Sequence, residues 1–335
     1  MGNRQGTIAI LGANGRLGSE AARAFHAAGW QVRALARSSG TRSAPAAMPA
    51  EIERVAVDAA DREALIAATR GVDAVFNGLN PPYPQWQAQV MPLARNVAAA
   101  VAANDALHLF PGNVYNFGTV IPHHPVETTA QVGDHRKAQI RIDAEALFER
   151  EAEAGRSKTI ILRAGDFFGG TGTGSWFDLV ITAKLAKGKL TYPGPLDRVH
   201  AWAYLPDLAR AFVQVAENAE RCAAFDRFHF GGHNVTGSEL IAAMQRACGR
   251  DFAVSGFPWR IVRIAGLVAP MMREISQMSY LWRAPHALSG EKLASLAGPS
   301  VTTPLDIAVR TALSSLGHLS PSAPAASAGM ASLAA

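Results

Sequence analysis

The sequence predicts an α/β protein in which a doubly wound parallel sheet is followed by a smaller, mostly helical C-terminal lobe. Three observations carry this. Short apolar, β-prone runs alternate with helix-forming stretches through the first half of the chain, the pattern of a parallel sheet covered on both faces. The first run, Thr7-Ile-Ala-Ile-Leu-Gly12, ends in a glycine-rich turn and then a helix-forming stretch. After Arg163 the alternation fades into Gly-rich loops and helical stretches that carry many of the Met, Trp and Arg residues.

Taken in order, strands are expected at Thr7–Gly12, Trp30–Ala36, Arg54–Val57, Asp73–Gly78, Leu107–Pro111 and Thr159–Arg163. Helices are expected between them at Gly15–Ala28, Asp61–Thr69, Gln85–Ala103 and Asp134–Ala154. In the last of these Ile140, Ala144, Leu147 and Phe148 fall on one face, which is therefore the buried one. Gly165–Gly174 reads as a loop over a ligand, Phe177–Ala186 as a helix, and Phe228–Gly232 as a strand returning to the sheet. The stretch from Pro258 to Leu296 reads as helical. The expected organisation is a Rossmann-type binding domain over 1–165 and a lobe over 166–316 with segments returning to the sheet. A disordered tail over 317–335 completes it, because its Ser, Ala, Pro and Gly residues have little to bury.

Composition narrows the function. With 335 residues, 49% of them hydrophobic, the chain can bury a sizeable core. The net charge of +5 suits an anionic ligand. No dense Lys/Arg run with interleaved aromatics is present, so a nucleic-acid partner is not expected. Cys222 and Cys248 are the only cysteines, which excludes a disulfide framework and a Cys-type zinc site, and no metal is expected. The first strand leaves no room for a signal peptide. The apolar stretch Ile261–Met272 is broken by Arg263 and Pro270 and is too short to span a bilayer. A cytoplasmic protein with no membrane partner is the expectation.

The glycine turn carries the chemistry. Gly12, Gly15 and Gly18 are spaced three apart between a strand and a helix. Glycines there let the backbone turn sharply and let a pyrophosphate approach the free N–H groups and positive dipole end of the helix. Gly12, Asn14, Gly15, Arg16, Leu17 and Gly18 are therefore the expected dinucleotide contacts. Arg37 follows the second strand, where NAD-binding folds place an acidic residue on the ribose 2′-hydroxyl; here that position is Ala36. A guanidinium grips a 2′-phosphate that a carboxylate would repel, so NADP(H) is favoured and NAD(H) is the alternative. Arg16 can reach the same phosphate; both arginines also fit a solvated surface. Asp58 suits either the adenine amino group or a helix cap near Asp61. Asn77 ends the fourth strand, where small residues let the backbone pass close to the cofactor.

Four stretches then resemble the extended or atypical short-chain dehydrogenases/reductases, the branch with NAD-dependent epimerases and dehydratases. They are the glycine turn, Leu109-Phe-Pro-Gly-Asn113-Val-Tyr-Asn-Phe-Gly118, Leu162-Arg-Ala-Gly-Asp166-Phe-Phe-Gly169 and Trp202-Ala-Tyr-Leu-Pro-Asp207-Leu-Ala. Thr303-Pro-Leu-Asp306 before a last helix is similar to the end of these enzymes. The resemblance implies a catalytic Ser or Thr with a Tyr-x-x-x-Lys. Lys137 matches the Lys, Asn113 stands at the Ser/Thr position, and Gly133 stands where the Tyr should be.

Glycine has no proton to give, so another donor is needed, and Tyr115, His135, His123 and His124 are the candidates nearby. The Asn113 amide can hydrogen-bond a carbonyl or oxyanion, and the resemblance makes Lys137 the ribose clamp. Asp166, Phe167 and Phe168 are expected near the nicotinamide. Trp176, Trp202 and Tyr204 can wall a pocket or simply be core. The Met271–Arg283 run lines the substrate cleft or makes a subunit contact, which is compatible with a homodimer. Arg283 and His286 are further anion-binding candidates. Two functions follow: an NADP(H)-dependent oxidoreductase or epimerase/dehydratase-like enzyme on a small carbonyl or hydroxyl substrate, or a non-catalytic NADP-binding redox sensor.

Overall fold

The computed structural model describes residues 6–37, 48–299 and 302–319. The first half runs β1 (Thr7–Leu11), α1 (Arg16–Ala27), β2 (Gln31–Ala36), β3 (Glu53–Ala56), α2 (Arg62–Ala68), β4 (Ala74–Asn77), α3 (Trp86–Ala103), β5 (Leu107–Gly112), α4 (Arg136–Glu153) and β6 (Lys158–Arg163). The second half adds β7 (Asp166–Phe168), β8 (Lys189–Tyr192), β9 (Val199–Tyr204), α5 (Leu205–Glu217), β10 (Phe225–His229), β11 (His233–Thr236), α6 (Gly237–Cys248) and β12 (Ala253–Gly256). It closes with α7 (Trp259–Ala265), α8 (Pro270–Gln277), α9 (Glu291–Ala297) and α10 (Leu305–Ser315).

Seven parallel strands form the central sheet in the order β10-β6-β5-β4-β1-β2-β3. The chain winds outward from β1 through β2 and β3, then restarts at β4 on the other side. That reversal opens a crevice outside the carboxyl ends of β1 and β4, where open α/β sheets bind ligands. Asn77 is the last residue of β4, and Gly12, Arg37 and Asn113 directly follow β1, β2 and β5, so all four share the carboxyl edge of the sheet.

The sheet is dry on both sides, which is why its strands read as unbroken apolar runs. Ile8, Ile10, Phe76, Leu109, Ile160 and Leu162 join a core with Phe25 of α1 and Phe212 of α5. Ala9, Leu11 and Val75, offset by one residue, join a second core with Leu65 of α2 and Val97 and Val101 of α3. Alternate residues of one strand thus serve opposite faces. The return of α5 and β10 to this sheet ties residues beyond 200 into the first half.

The C-terminal part carries helices and two small sheets, β11-β9-β7 and β12-β8. Several expected elements differ in detail. The returning strand is Phe225–His229, earlier than the aromatic-glycine run suggested. The Phe177–Ala186 helix is one wide turn at Phe177–Ile181 and a tight turn at Leu185–Lys187. The 258–296 stretch breaks into three short helices, because Pro270, Pro285 and Gly290 interrupt it. Gly317–Leu319 turns back on α10, with the His318 N–H bonded to the Leu313 carbonyl at 2.9 Å, so these three residues are not tail. The rest of the expected tail, 320–335, lies outside the described residues.

Candidate functional site

The glycine turn has the geometry an anion needs. Gly12 has φ +70°, and a Cβ there would lie 2.7 Å from the Gly78 carbonyl oxygen of the neighbouring strand's exit. A Cβ on Gly18 would run into the Gly12 carbonyl. Gly15 caps α1 without any side-chain hydrogen bond, and the first turn of α1 holds no acidic residue. Asn14 and Gly15 are exposed. A twelve-residue helix therefore opens toward the crevice with its first N–H groups unshielded by side chains, which fits a phosphate group.

Arg16 is engaged across the crevice. Its Nη2 donates to the Gly169 carbonyl at 2.7 Å, and its Nη1 lies 3.2 Å from Asp178. Glu20 accepts from the Thr171 N–H at 3.1 Å, and Arg23 donates to the Thr171 hydroxyl at 3.0 Å. Asp178 in turn accepts from the N–H groups of Gly174 and Ser175 at 2.6 and 2.9 Å. The Gly-rich loop expected over a ligand is thus fastened to α1 beside the glycine turn.

Arg37 is exposed directly after β2; the residues that follow it, 38–47, are outside the described set. Asp58 is exposed and accepts from the Ala60 N–H at 3.0 Å, while the cap of α2 is Asp61, which accepts from Ala64 at 3.0 Å. The helix-cap alternative for Asp58 therefore belongs to Asp61. Asn77 is buried, its amide nitrogen 3.3 Å from His108 Nε2, and His108 Nδ1 is 3.2 Å from the Thr159 hydroxyl. Burial pushes His108 down to about 3, so the ring is neutral and Asn77 belongs to an interior polar chain.

At the next strand exit, Asn113 Oδ1 accepts from the Tyr115 N–H at 3.0 Å and caps the turn Val114–Phe117. The Asn113 carbonyl accepts from Arg163, whose guanidinium also pairs with Glu145 at 2.9 Å in the interior. This fixes Tyr115 with its hydroxyl 2.8 Å from that of Tyr83. Burial raises both phenols, Tyr83 to about 12 and Tyr115 well above its ordinary value; the charge of Asp166 adds to each rise, while the hydrogen bond from Tyr115 works against it at Tyr83.

Lys137 is 2% exposed. Its ammonium is bonded to the Glu274 carboxylate, lies 3.1 Å from Gln277 Oε1, and sits 5.2 Å from the Tyr83 ring centroid. Burial lowers its pKa, and Glu274 opposes the shift. Gly133 is exposed and precedes α4, whose cap is His135. Position 133 is therefore not on the lysine's helix at all. His135 Nδ1 accepts from the Ala138 N–H at 3.3 Å, and its Nε2 is 2.9 Å from the Tyr280 hydroxyl. His123 and His124 are exposed and stacked edge to face.

Asp166 is 2.8 Å from His200 Nε2, and the His200 ring stacks on Trp282 at 4.5 Å. Trp202 and Tyr204 are buried in the second core, whereas Trp176 is half-buried at its edge. His286 is fully buried and pushed down to about 3 by burial, so it is neutral and no anion binder. Arg283 is exposed, with its guanidinium 3.1 Å from the Ser279 hydroxyl.

The site thus gathers Tyr115, Lys137, Asp166 and His135 of the expected residues around one cluster. It adds Glu274, Gln277 and Tyr280 from the Met271–Arg283 run expected at the cleft or a subunit contact, and Tyr83 and His200, which the motifs did not single out. Tyr83 follows β4 within Pro81-Pro82-Tyr83-Pro84, and the rule that sites sit at strand carboxyl ends could have found it. Among the described residues no group of three or more His, Cys, Asp or Glu is placed to hold a metal ion.

Residues 4–146 match the NmrA-like family. No curated protein sequence matches the chain. Among solved structures, the chain is similar to UDP-glucose 4-epimerase from Brucella ovis in complex with NAD, with TM-score 0.74 at 16% identity over 93% of this chain and 99% of that one. UDP-glucose-4-epimerase from Stenotrophomonas maltophila, bound to NAD and formylated UDP-arabinopyranose, gives 0.73 at 15% identity over 93% and 98%. A proposed epimerase from Burkholderia cenocepacia J2315 gives 0.73 at 21% identity over 94% and 98%. The likeness to extended short-chain dehydrogenases/reductases is borne out in the fold, along nearly the whole chain.

Proposed function

We propose that this chain binds NADP(H) at the Gly12–Gly18 turn and acts as an oxidoreductase or epimerase/dehydratase-like enzyme on a small carbonyl or hydroxyl compound. The observation that carries the catalytic part is the Tyr83–Tyr115 hydroxyl contact at 2.8 Å beside Lys137, where the resemblance leaves a glycine in place of tyrosine. When bound, the cofactor supplies or accepts hydride. The residues do the rest. The uncapped N-terminus of α1 takes the pyrophosphate, and Arg37 takes the ribose 2′-phosphate. Tyr83 shuttles a proton at the substrate oxygen, with Tyr115 as its hydrogen-bond partner. The Lys137 cation, over the Tyr83 ring, stabilises negative charge as it develops there. Asp166 and His200 border the same cluster and orient substrate.

The structural neighbours described as bound to NAD and nucleotide-sugar ligands support a cofactor in this crevice and put nucleotide sugars among the substrates to try. NADPH oxidation at 340 nm, measured with a panel of aldehydes, ketones and 4-keto nucleotide sugars, tests the reading. Turnover that falls in Tyr83→Phe while NADPH binding persists supports it; binding without turnover on any substrate counts against the enzyme. The second reading, a non-catalytic NADP-binding sensor, is favoured by the bond between Lys137 and Glu274, which occupies the ammonium expected to clamp ribose. It requires tight binding, no turnover and a protein partner.

A further inference from the structure

The most conspicuous unexplained surface is the hairpin of α7 and α8. Five of the twelve large apolar side chains exposed among the described residues fall within it: Ile261 66%, Ile264 68%, Leu267 82%, Val268 88% and Met271 39%. Such a cluster is too concentrated to be the scattered apolar exposure of an ordinary surface. The hairpin is firmly built nonetheless. Trp259 Nε1 donates to the Pro193 carbonyl at 2.6 Å, and Val262, Met278 and Leu281 are buried at its base. The two helices meet closely at Gly266, where a Cβ would lie 2.9 Å from Arg273 Cα.

The backbone donors of the tip are already paired internally. Gly266, Leu267, Val268 and Ala269 donate their N–H groups to the carbonyls of Val262, Ile264 and Ala265. Entry into an apolar medium therefore strands none of these four donors. Charge selects the occupant. Between 257 and 290 the chain carries four arginines, Arg260, Arg263, Arg273 and Arg283, all exposed, and one carboxylate, Glu274, which is turned inward onto Lys137. A twofold contact with a second copy would set this cationic patch against itself. An anionic surface with an apolar layer beneath it matches both features at once.

We infer that the α7–α8 hairpin docks on an anionic lipid bilayer, with Leu267 and Val268 entering the headgroup–acyl boundary and the arginines meeting lipid phosphates. A surface-lying element needs far less length than a spanning one, so the short, interrupted apolar stretch is no obstacle. The same α8 holds Glu274 and Gln277 against Lys137, so the docked face lies next to the site cluster. The inference stands on the hairpin alone and does not depend on the cofactor reading.

Co-sedimentation of the full chain with sucrose-loaded vesicles tests it, using phosphatidylcholine alone and phosphatidylcholine with about one part in three phosphatidylglycerol. Binding to the anionic vesicles is expected, with loss in Leu267→Ser/Val268→Ser. In Arg260→Gln/Arg263→Gln the affinity should fall about fivefold for each arginine removed. These positions are exposed, so both variants should keep the wild-type melting temperature, which serves as the folding control. Absence of binding, or equal binding to neutral vesicles, overturns the inference. So does a concentration-dependent dimer that the Leu267→Ser/Val268→Ser variant dissolves, or capture by polyglutamate in place of vesicles.

Discussion

Glu145 is the interior charge on which the Tyr115 turn rests, and replacing it with leucine is the most quantitative test of the fold. Glu145 is 0% exposed, and Arg163 is 1% exposed. The carboxylate accepts from Arg163 Nη2 at 2.9 and 3.1 Å and from Gln131 Nε2 at 2.9 Å, with Arg227 Nε at 3.5 Å. Burial by itself raises the Glu145 pKa, but Arg163 and Arg141 outweigh it and hold the carboxyl below its ordinary value. Glu145→Leu leaves the Arg163 charge buried without its partner, which costs about 3–5 kcal/mol. At roughly 2 °C per kcal/mol for a chain this long, the melting temperature should fall by about 6 °C or more. Urea unfolding followed by circular dichroism at pH 7 gives the free energy directly. The double variant Glu145→Leu/Arg163→Leu should recover part of the loss, because no charge is then stranded, although the Asn113 carbonyl loses its donor. A single variant within 1 kcal/mol of wild type, taken as about the size of an exposed pair's contribution, would refute the assignment of a buried, dependent pair.

Acid should destabilise the protein well before its carboxylates protonate. His108, His229 and His286 are held near 3 by burial, below the ordinary 6.5. Each therefore contributes stability that is complete above 6.5 and is lost as pH falls from there toward 3, about 1 kcal/mol apiece by pH 5.5. A melting temperature flat between pH 7 and 5.5 would contradict their neutral burial. Gly18→Val should abolish NADPH binding, since even a Cβ collides with the Gly12 carbonyl; isothermal titration reads this, and unchanged affinity would remove the turn from the site. Tyr83→Phe should lower turnover about 100-fold or more with little change in cofactor affinity, whereas equal turnover would return the proton role to another group.

The sheet was legible because strands buried on both faces, such as Ile8–Leu11, announce themselves as apolar runs between glycine and helix signals. The site was legible only where contacts are local. Gly12, Gly15 and Gly18 act within seven residues, and their spacing displays the turn. Arg16 meets Gly169 and Asp178, and Lys137 meets Glu274, across more than a hundred residues that carry no shared motif. Tyr83 was hidden in a proline-rich turn whose folding brings it to Tyr115. The Phe177–Ile181 turn has the apolar spacing of a helix, and pattern alone does not separate one wide turn from a continuing one. The length of Ile261–Met272 spoke against spanning a bilayer, but the expectation of no membrane partner drawn from it went too far, because a short element can still lie along one.

The proposed site takes NADP(H), with Arg37 on the 2′-phosphate. Titration of NADPH and NADH against the wild type and Arg37→Ala tests it most directly. Paired charge-assisted bonds to a phosphate are worth about 1.5–3 kcal/mol, so the wild type should prefer NADPH by roughly 10- to 100-fold. Arg37→Ala should erase that preference while leaving NADH affinity unchanged. Equal wild-type affinity for the two, or no measurable binding of either, would contradict the account.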